Sequence, residues 1–263
     1  MGQGLLSPAE ARRFADLEGT LVAFGDGVRG ALRDNLVAIY VTGSLLMGDF
    51  EAASSDLDFL VVTRHSLSAS EVDRIALAHE QMLQMGDWGN RFEGGYAARS
   101  MLRPWGIEGP IVAVEPGARA PVIGPSDYSA DNMLAIRDHS LTLHGPDPRD
   151  ILPPVSRDVF TMALHEYLDE LVARPGTLEP SAAEVASWTL NIARCLYGLE
   201  AGRPCTKSDA ATWLAGADPT LAPILSTALA VRRGTADPAV GDTLRAGFTA
   251  LRDAVARWDL KVD

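Results

Sequence analysis

Apolar residues recur at three- and four-residue intervals near the start of the chain: Ala11, Phe14, Leu17, Leu21, Phe24, Val28 and Leu32. That period predicts an amphipathic helix over 8–34. Ser7-Pro8 supplies an N-cap and a first helical residue, with Glu10 close behind. The period then changes. "LVAIYVTG" (36–43) and "DFLVVT" (58–63) are compact, β-branched apolar runs that read as buried strands. "NRFEGGYAA" (90–98) reads as a third strand, and "SASEVDRIALAHEQMLQMG" (68–86) as a capped helix ended by glycine. Residues 101–127 are rich in Gly and Pro around one apolar run, "IVAVE", which predicts an irregular stretch or an edge hairpin. Residues 129–145 predict a helix and a short strand.

"GPDPRDILPPV" (145–155) is the best linker, because its prolines and glycine interrupt both kinds of periodicity. Beyond it, 156–172, 181–200, 207–215, 219–233 and 238–259 all show helical spacing, broken by stretches such as "ARPG" and "EAGRP". Strands gathered in the first half and helices in the second predict two domains, 1–153 and 154–263.

Composition changes this picture only at the margins. A chain of 263 residues, 47% hydrophobic and 22% charged, can bury a sizeable core. It contains no apolar run of the length a membrane span needs. The start lacks the basic and apolar pattern of a secretion signal, so a cytoplasmic protein is expected. The two cysteines, Cys195 and Cys205, show no metal-ligand or disulfide pattern and are expected to be reduced. A formal net charge of −12 repels nucleic-acid phosphates and favours small cationic partners. The histidines show no metal spacing.

The chemistry concentrates in "YVTGSLLMGDFEAASSDLDFLVVT" (40–63). Residues two apart on a strand share a face, so Asp56 and Asp58 aim side by side at the mouth of the core. Two like charges this close repel, and a divalent cation with oxygen preference, such as Mg²⁺, removes the conflict. Gly43-Ser44, at the end of the preceding strand, offers backbone N–H groups and a hydroxyl suited to phosphate. Glu93 adds a third acid on the next strand. Read alone, "SSD" and Gly-Ser are also ordinary turn chemistry.

"GSLLMGDFEAASSDLDFLVV" resembles the Gly-Ser and Asp-x-Asp signature of the nucleotidyltransferase superfamily. The chain more narrowly resembles the aminoglycoside (3'')(9) adenylyltransferases, the streptomycin/spectinomycin-type resistance enzymes. "FEGGY" is similar to the strand bearing that family's catalytic glutamate. "IRDHSLTLHGPDPRDILPPV" is similar to its interdomain connection, and "TLNIARCLYGLEAGRPCTKSDAATWL" to part of its helical domain. The resemblance spans about residues 36–235. It implies an α+β protein: an N-terminal nucleotidyltransferase domain, a small mixed sheet with flanking helices, followed by a C-terminal all-α helical bundle.

The resemblance also implies roles. Asp56 and Asp58, with Glu93, surround the Mg²⁺ that carries ATP. Gly43 and Ser44 hold the triphosphate, with Ser55 as a secondary contact that is equally a turn residue. Glu93 is the general base, or else an exposed strand residue paired with Arg91 or Arg99. Arg194 and Lys207 reach the ATP phosphates, or are plain helix-surface cations. Glu184 falls where the family faces its aminoglycoside, although a helix-face glutamate explains it equally. Members that modify streptomycin carry a Trp and an Asp where this chain has "LVARPGTLEP" (171–180), which has neither. The expectation is an ATP- and Mg²⁺-dependent monomer that adenylylates a cationic antibiotic, of spectinomycin type rather than streptomycin. Two alternatives are an enzyme that attaches AMP to a protein partner and a nucleotide-binding regulator.

Overall fold

The computed structural model describes residues 5 and 14, 16–174 and 180–257. The expected Ser7-Pro8 cap, with Glu10 and Ala11, and half of the loop compared with streptomycin-modifying enzymes (175–179) lie outside these residues. Two compact units emerge. One comprises residues 1–46 and 56–155, the other residues 47–55 and 156–263. The short segment 47–55, assigned to the second unit, has no counterpart in the sequence-based division at 153/154.

The first unit is built on β1 (Leu36–Val41), β2 (Leu57–Thr63), β3 (Phe92–Ala98), β4 (Leu102–Arg103), β5 (Gly106–Ile107), β6 (Pro110–Val114), β7 (Val122–Pro125) and β8 (Leu141–His144). Six of them form one sheet in the order β7-β6-β3-β2-β1-β8, and β4 and β5 pair separately. Neighbours run antiparallel except β2 and β3, which are parallel. A parallel pair needs a crossover, and helix α2 (Ala69–Met82) supplies it. The Gly/Pro-rich stretch therefore resolves into the β6–β7 edge hairpin, whose outer strand exposes Val122 and Ile123.

Central strands are buried on both faces, which is why β1 and β2 read as nearly continuous apolar runs. Helix α1 (Leu17–Leu32) begins later than the predicted position 8 within the described residues, and buries Leu17, Leu21, Phe24 and Val28. Phe24 stacks on Phe92 with ring centroids 4.3 Å apart and lies 4.9 Å from Phe59. His79 of α2 joins this cluster, its Nε2 2.8 Å from the Tyr96 hydroxyl. Burial pushes the His79 imidazole down to about 4, so it packs as a neutral ring. On the opposite face Tyr40, Leu60, Val62 and Ala97 pack with Met133 and Ile136 of α3 (Ala130–Asp138). A short helix, α4 (Pro148–Ile151), follows β8, and Asp147 caps it by accepting from the Arg149 N–H.

The second unit holds α5 (Arg157–Ala173), α6 (Ala182–Ala201), α7 (Lys207–Ala217), α8 (Ala222–Arg232) and α9 (Gly241–Arg257). Helix α6 is its axis and touches the other four. It is accordingly apolar on several sides, burying Val185, Leu190, Ile192, Cys195 and Leu196 among others. Its ends follow from local chemistry: a Ser181–Glu184 capping box, and Gly202 at φ 67° closing the C-terminus. Among the described residues no helix is long and apolar enough to cross a membrane.

The aromatic cluster gives a direct test of this core. Phe24→Ala removes the ring that bridges β2 and β3, and is expected to cost about 3–5 kcal/mol in urea unfolding.

Candidate active site

Sheet register decides which acids meet. Asp58, the second residue of β2, pairs with Glu93 on the parallel strand β3. Paired residues share a face, so both lie on the side occupied further along by Leu60, Val62 and Ala97. Asp56, two residues before Asp58, joins that face. Asp56, Asp58 and Glu93 are each partly buried. The three acids sit where the α3-side core opens.

Charge repulsion leaves its mark on Glu93. Burial first, then the charges of Asp58, Asp56 and Glu115, push its carboxyl up to about 8. A hydrogen bond with Asp56 helps keep the proton in place. Glu115 escaped the sequence reading. It follows β6, and because Gly94 pairs with Val114 in the antiparallel β3–β6 ladder, it comes opposite Glu93. The final residue of "IVAVE" was the available signal.

Gly43 joins the site through a steric requirement. It follows β1 in a short 3₁₀ turn, Gly43–Leu45, with φ 76°. A Cβ at this position would overlap the Asp58 carboxylate, so only glycine permits the approach. The Thr42 N–H donates to Asp58 O at 2.9 Å, tying the turn to the start of β2. Ser44 is the next residue of that turn and is partly exposed. Tyr128 supports the site from below. Its hydroxyl donates to Phe59 O, and burial, with Asp127 and Asp58 nearby, keeps it protonated. Gly95 leaves room for the Tyr128 ring and for Ile111.

The remaining candidates belong to the second unit. Arg194, on α6, is half-buried and donates from Nε to Cys205 O at 3.2 Å. Lys207 begins α7 with its Nζ 3.5 Å from Ser187 Oγ. Glu184 is the acidic member of the α6 capping box: its Oε2 accepts from Ser181 N at 2.8 Å and from Ser181 Oγ at 2.7 Å. Those bonds lower its pKa, and a ligand would have to compete with them. Ser55 is buried, and its hydroxyl accepts from the Glu51 N–H at 3.0 Å. Gly43, Ser44, Asp56, Asp58 and Glu93 thus form one set in the sheet unit. Arg194, Lys207, Glu184 and Ser55 lie in the helical one.

No protein-family model and no curated protein sequence matches the chain. Structure does find a match. The crystal structure of spectinomycin adenyltransferase AAD(9) from Enterococcus faecialis with ATP and spectinomycin superimposes with a TM-score of 0.69 at 17% sequence identity. The alignment covers 90% of this chain and 98% of that one. The chain shares the fold of that adenyltransferase. At this identity the likeness concerns architecture, and the α+β arrangement expected from the sequence is the one observed.

The fit of a metal to this sheet can be judged from the acids themselves. Among the described residues, no three His, Cys, Asp or Glu side chains form a preformed metal cage. Strand register brings the expected trio of Asp56, Asp58 and Glu93 to one face, with Glu93 hydrogen-bonded to Asp56. Two carboxylates suffice for Mg²⁺, which usually keeps several waters and completes its shell with substrate phosphates. Asp56 and Asp58 fit that pattern.

Two outcomes follow. In metal-free protein the folded state binds an extra proton at Glu93 between the ordinary carboxylate value of 4.5 and about 8. The stabilisation from that proton is complete below 4.5 and is lost as pH rises through about 8. Thermal unfolding in chelator should show this decline, and Glu93→Gln should flatten it. Gly43→Ala should displace Asp58 and weaken Mg²⁺-dependent ATP binding at least tenfold, an effect of the size seen when a ligand's support is removed. Calorimetric titration checks this, with circular dichroism as the control for folding.

Proposed function

We propose that the protein transfers the adenylyl group of ATP to a hydroxyl of a small cationic acceptor of the aminoglycoside or aminocyclitol class. The observation that carries this reading is the register pairing of Asp58 with Glu93 beside Gly43. It puts a charge-tuned carboxyl next to a pair of acids suited to a metal and a turn suited to phosphate. The fold's likeness to an enzyme crystallised with ATP and spectinomycin supports the same reading.

In this scheme the acceptor oxygen attacks the α-phosphorus, the bond to the bridging oxygen breaks, and pyrophosphate leaves. Asp56 and Asp58 would hold Mg²⁺, which would supply positive charge against the phosphates and the departing pyrophosphate. Gly43 and Ser44 orient the triphosphate through backbone N–H groups and a hydroxyl. Glu93 takes the proton of the acceptor hydroxyl. With its pKa near 8 in the free protein, Glu93 is largely protonated at neutral pH and a poor base. A cation held by Asp56 and Asp58 would offset two of the repulsions that retain that proton, and so would favour Glu93 as a base.

The resemblance assigns Arg194 and Lys207 to phosphate oxygens, which suits the fork of one and the point charge of the other. The net charge of −12 favours approach of a polycationic acceptor. Spectinomycin is favoured over streptomycin, following the missing Trp and Asp in 171–180.

Pyrophosphate release from ATP, measured with spectinomycin and streptomycin side by side, tests the reading. The expected result is release with spectinomycin, and a fall of about a hundred- to ten-thousand-fold in kcat for Glu93→Gln with ATP binding retained. Mg-ATP binding without release for any cationic acceptor would reject the antibiotic. AMP found on a co-purified protein would then favour a protein acceptor.

A further inference from the structure

Between Ser44 and Asp56 the chain passes through Met47–Ser55, a segment that packs as part of the helical unit. A buried polar network holds it there. Arg232, the last residue of α8, carries Nη1 3.3 Å from Asp49 Oδ1, with side chains only 9% and 10% exposed. The Arg232 Nη2 donates to Asp49 O and, at 3.4 Å, to Ser55 Oγ. Ser208 completes the carboxylate's shell, donating from Oγ to Asp49 Oδ1 at 2.6 Å and from N to Oδ2 at 3.3 Å. In return, Ser54 Oγ donates to Arg232 O at 2.7 Å, and Glu51 Oε1 lies 3.5 Å from Arg233 Nε.

A surface turn would hold its shape without burying a charge pair. Removing two ions from water costs several kcal/mol each, and their attraction often does no more than offset that cost. The Arg232 Nη1–Asp49 contact is at ion-pair distance but lacks hydrogen-bond alignment, so it is not an optimised stabiliser. Its geometric result is clear: Asp49 and Ser55 are both tied to one guanidinium, and Ser55 is followed directly by Asp56. Ser208 follows Lys207, so the same carboxylate also anchors the start of α7.

We propose that Asp49, Arg232 and Ser208 form a positioning clamp for the acid strand. By fixing Met47–Ser55 they restrict where Asp56 carries its carboxylate, and so tune the affinity of the Asp56/Asp58 pair for Mg²⁺. The three act through the main chain and Ser55, not on the reacting atoms. This inference rests on the assignment of Asp56 as a magnesium ligand.

The test uses full-length Arg232→Gln, Arg232→Lys and Ser208→Ala. Amide hydrogen exchange over 47–58 is measured without metal, and the Mg²⁺ concentration that half-saturates ATP binding is titrated. Arg232→Gln should speed exchange and raise the Mg²⁺ requirement about ten- to a hundredfold, the usual effect of losing a group that orients a ligand. Metal-independent ATP binding should stay unchanged. Arg232→Lys should recover part of the loss, and Ser208→Ala should shift both readings the same way but less. If Arg232→Gln fails to fold, Ser208→Ala decides by the same two readings. Faster exchange with an unmoved Mg²⁺ requirement, or no change in either, overturns the clamp while leaving the proposed activity standing. A wild-type protein whose ATP binding ignores Mg²⁺ overturns the metal assignment and the clamp with it.

Discussion

Like charges crowded on one face of a sheet are the constraint around which the first unit is arranged. Asp56, Asp58 and Glu93 are brought together by strand register, and Glu115 approaches from the next strand. Without compensation such a cluster would open the core beneath it. A raised Glu93 carboxyl, hydrogen-bonded with Asp56, is the compensation in the free protein. A cation with its phosphates would provide another. In the proposed reaction the two compensations would differ in proton count, as a base switched by nucleotide loading requires.

Around that cluster the packing leaves little freedom. Gly43 accepts the Asp58 carboxylate only because it has no side chain, and Gly95 makes space for Tyr128, whose hydroxyl supports Phe59. On the other face Phe24, Phe59, Phe92 and His79 lock β2 and β3 together. The register that pairs Asp58 with Glu93 is thus set by apolar contacts several residues away. A one-residue slip would turn every acid to the wrong side.

Much of this was legible in sequence because it is written in short-range patterns. The strand runs, the Asp-x-Asp spacing and the Gly-Ser turn need no knowledge of partners. The Ser181-x-x-Glu184 capping box was equally visible, yet a ligand role drew attention from it. What stayed hidden depends on long-range pairing. Glu115 gains meaning only once β6 is known to lie beside β3. Asp49 and Arg232 are 183 residues apart, and no local pattern links them. The assignment of 47–55 to the helical unit follows from that same pairing.

The outer strand β7 shows how the sheet ends. Val122 and Ile123 stand exposed on an open edge, where unpaired backbone invites another chain to add a strand. Pro121 and Pro125 bracket them, and proline has no N–H to offer. The stretch able to donate outward is therefore confined to 122–124, too short for a lasting ladder. Replacing either proline would lengthen that sticky margin, so changes made there for crystallisation or fusion would trade solubility for contact.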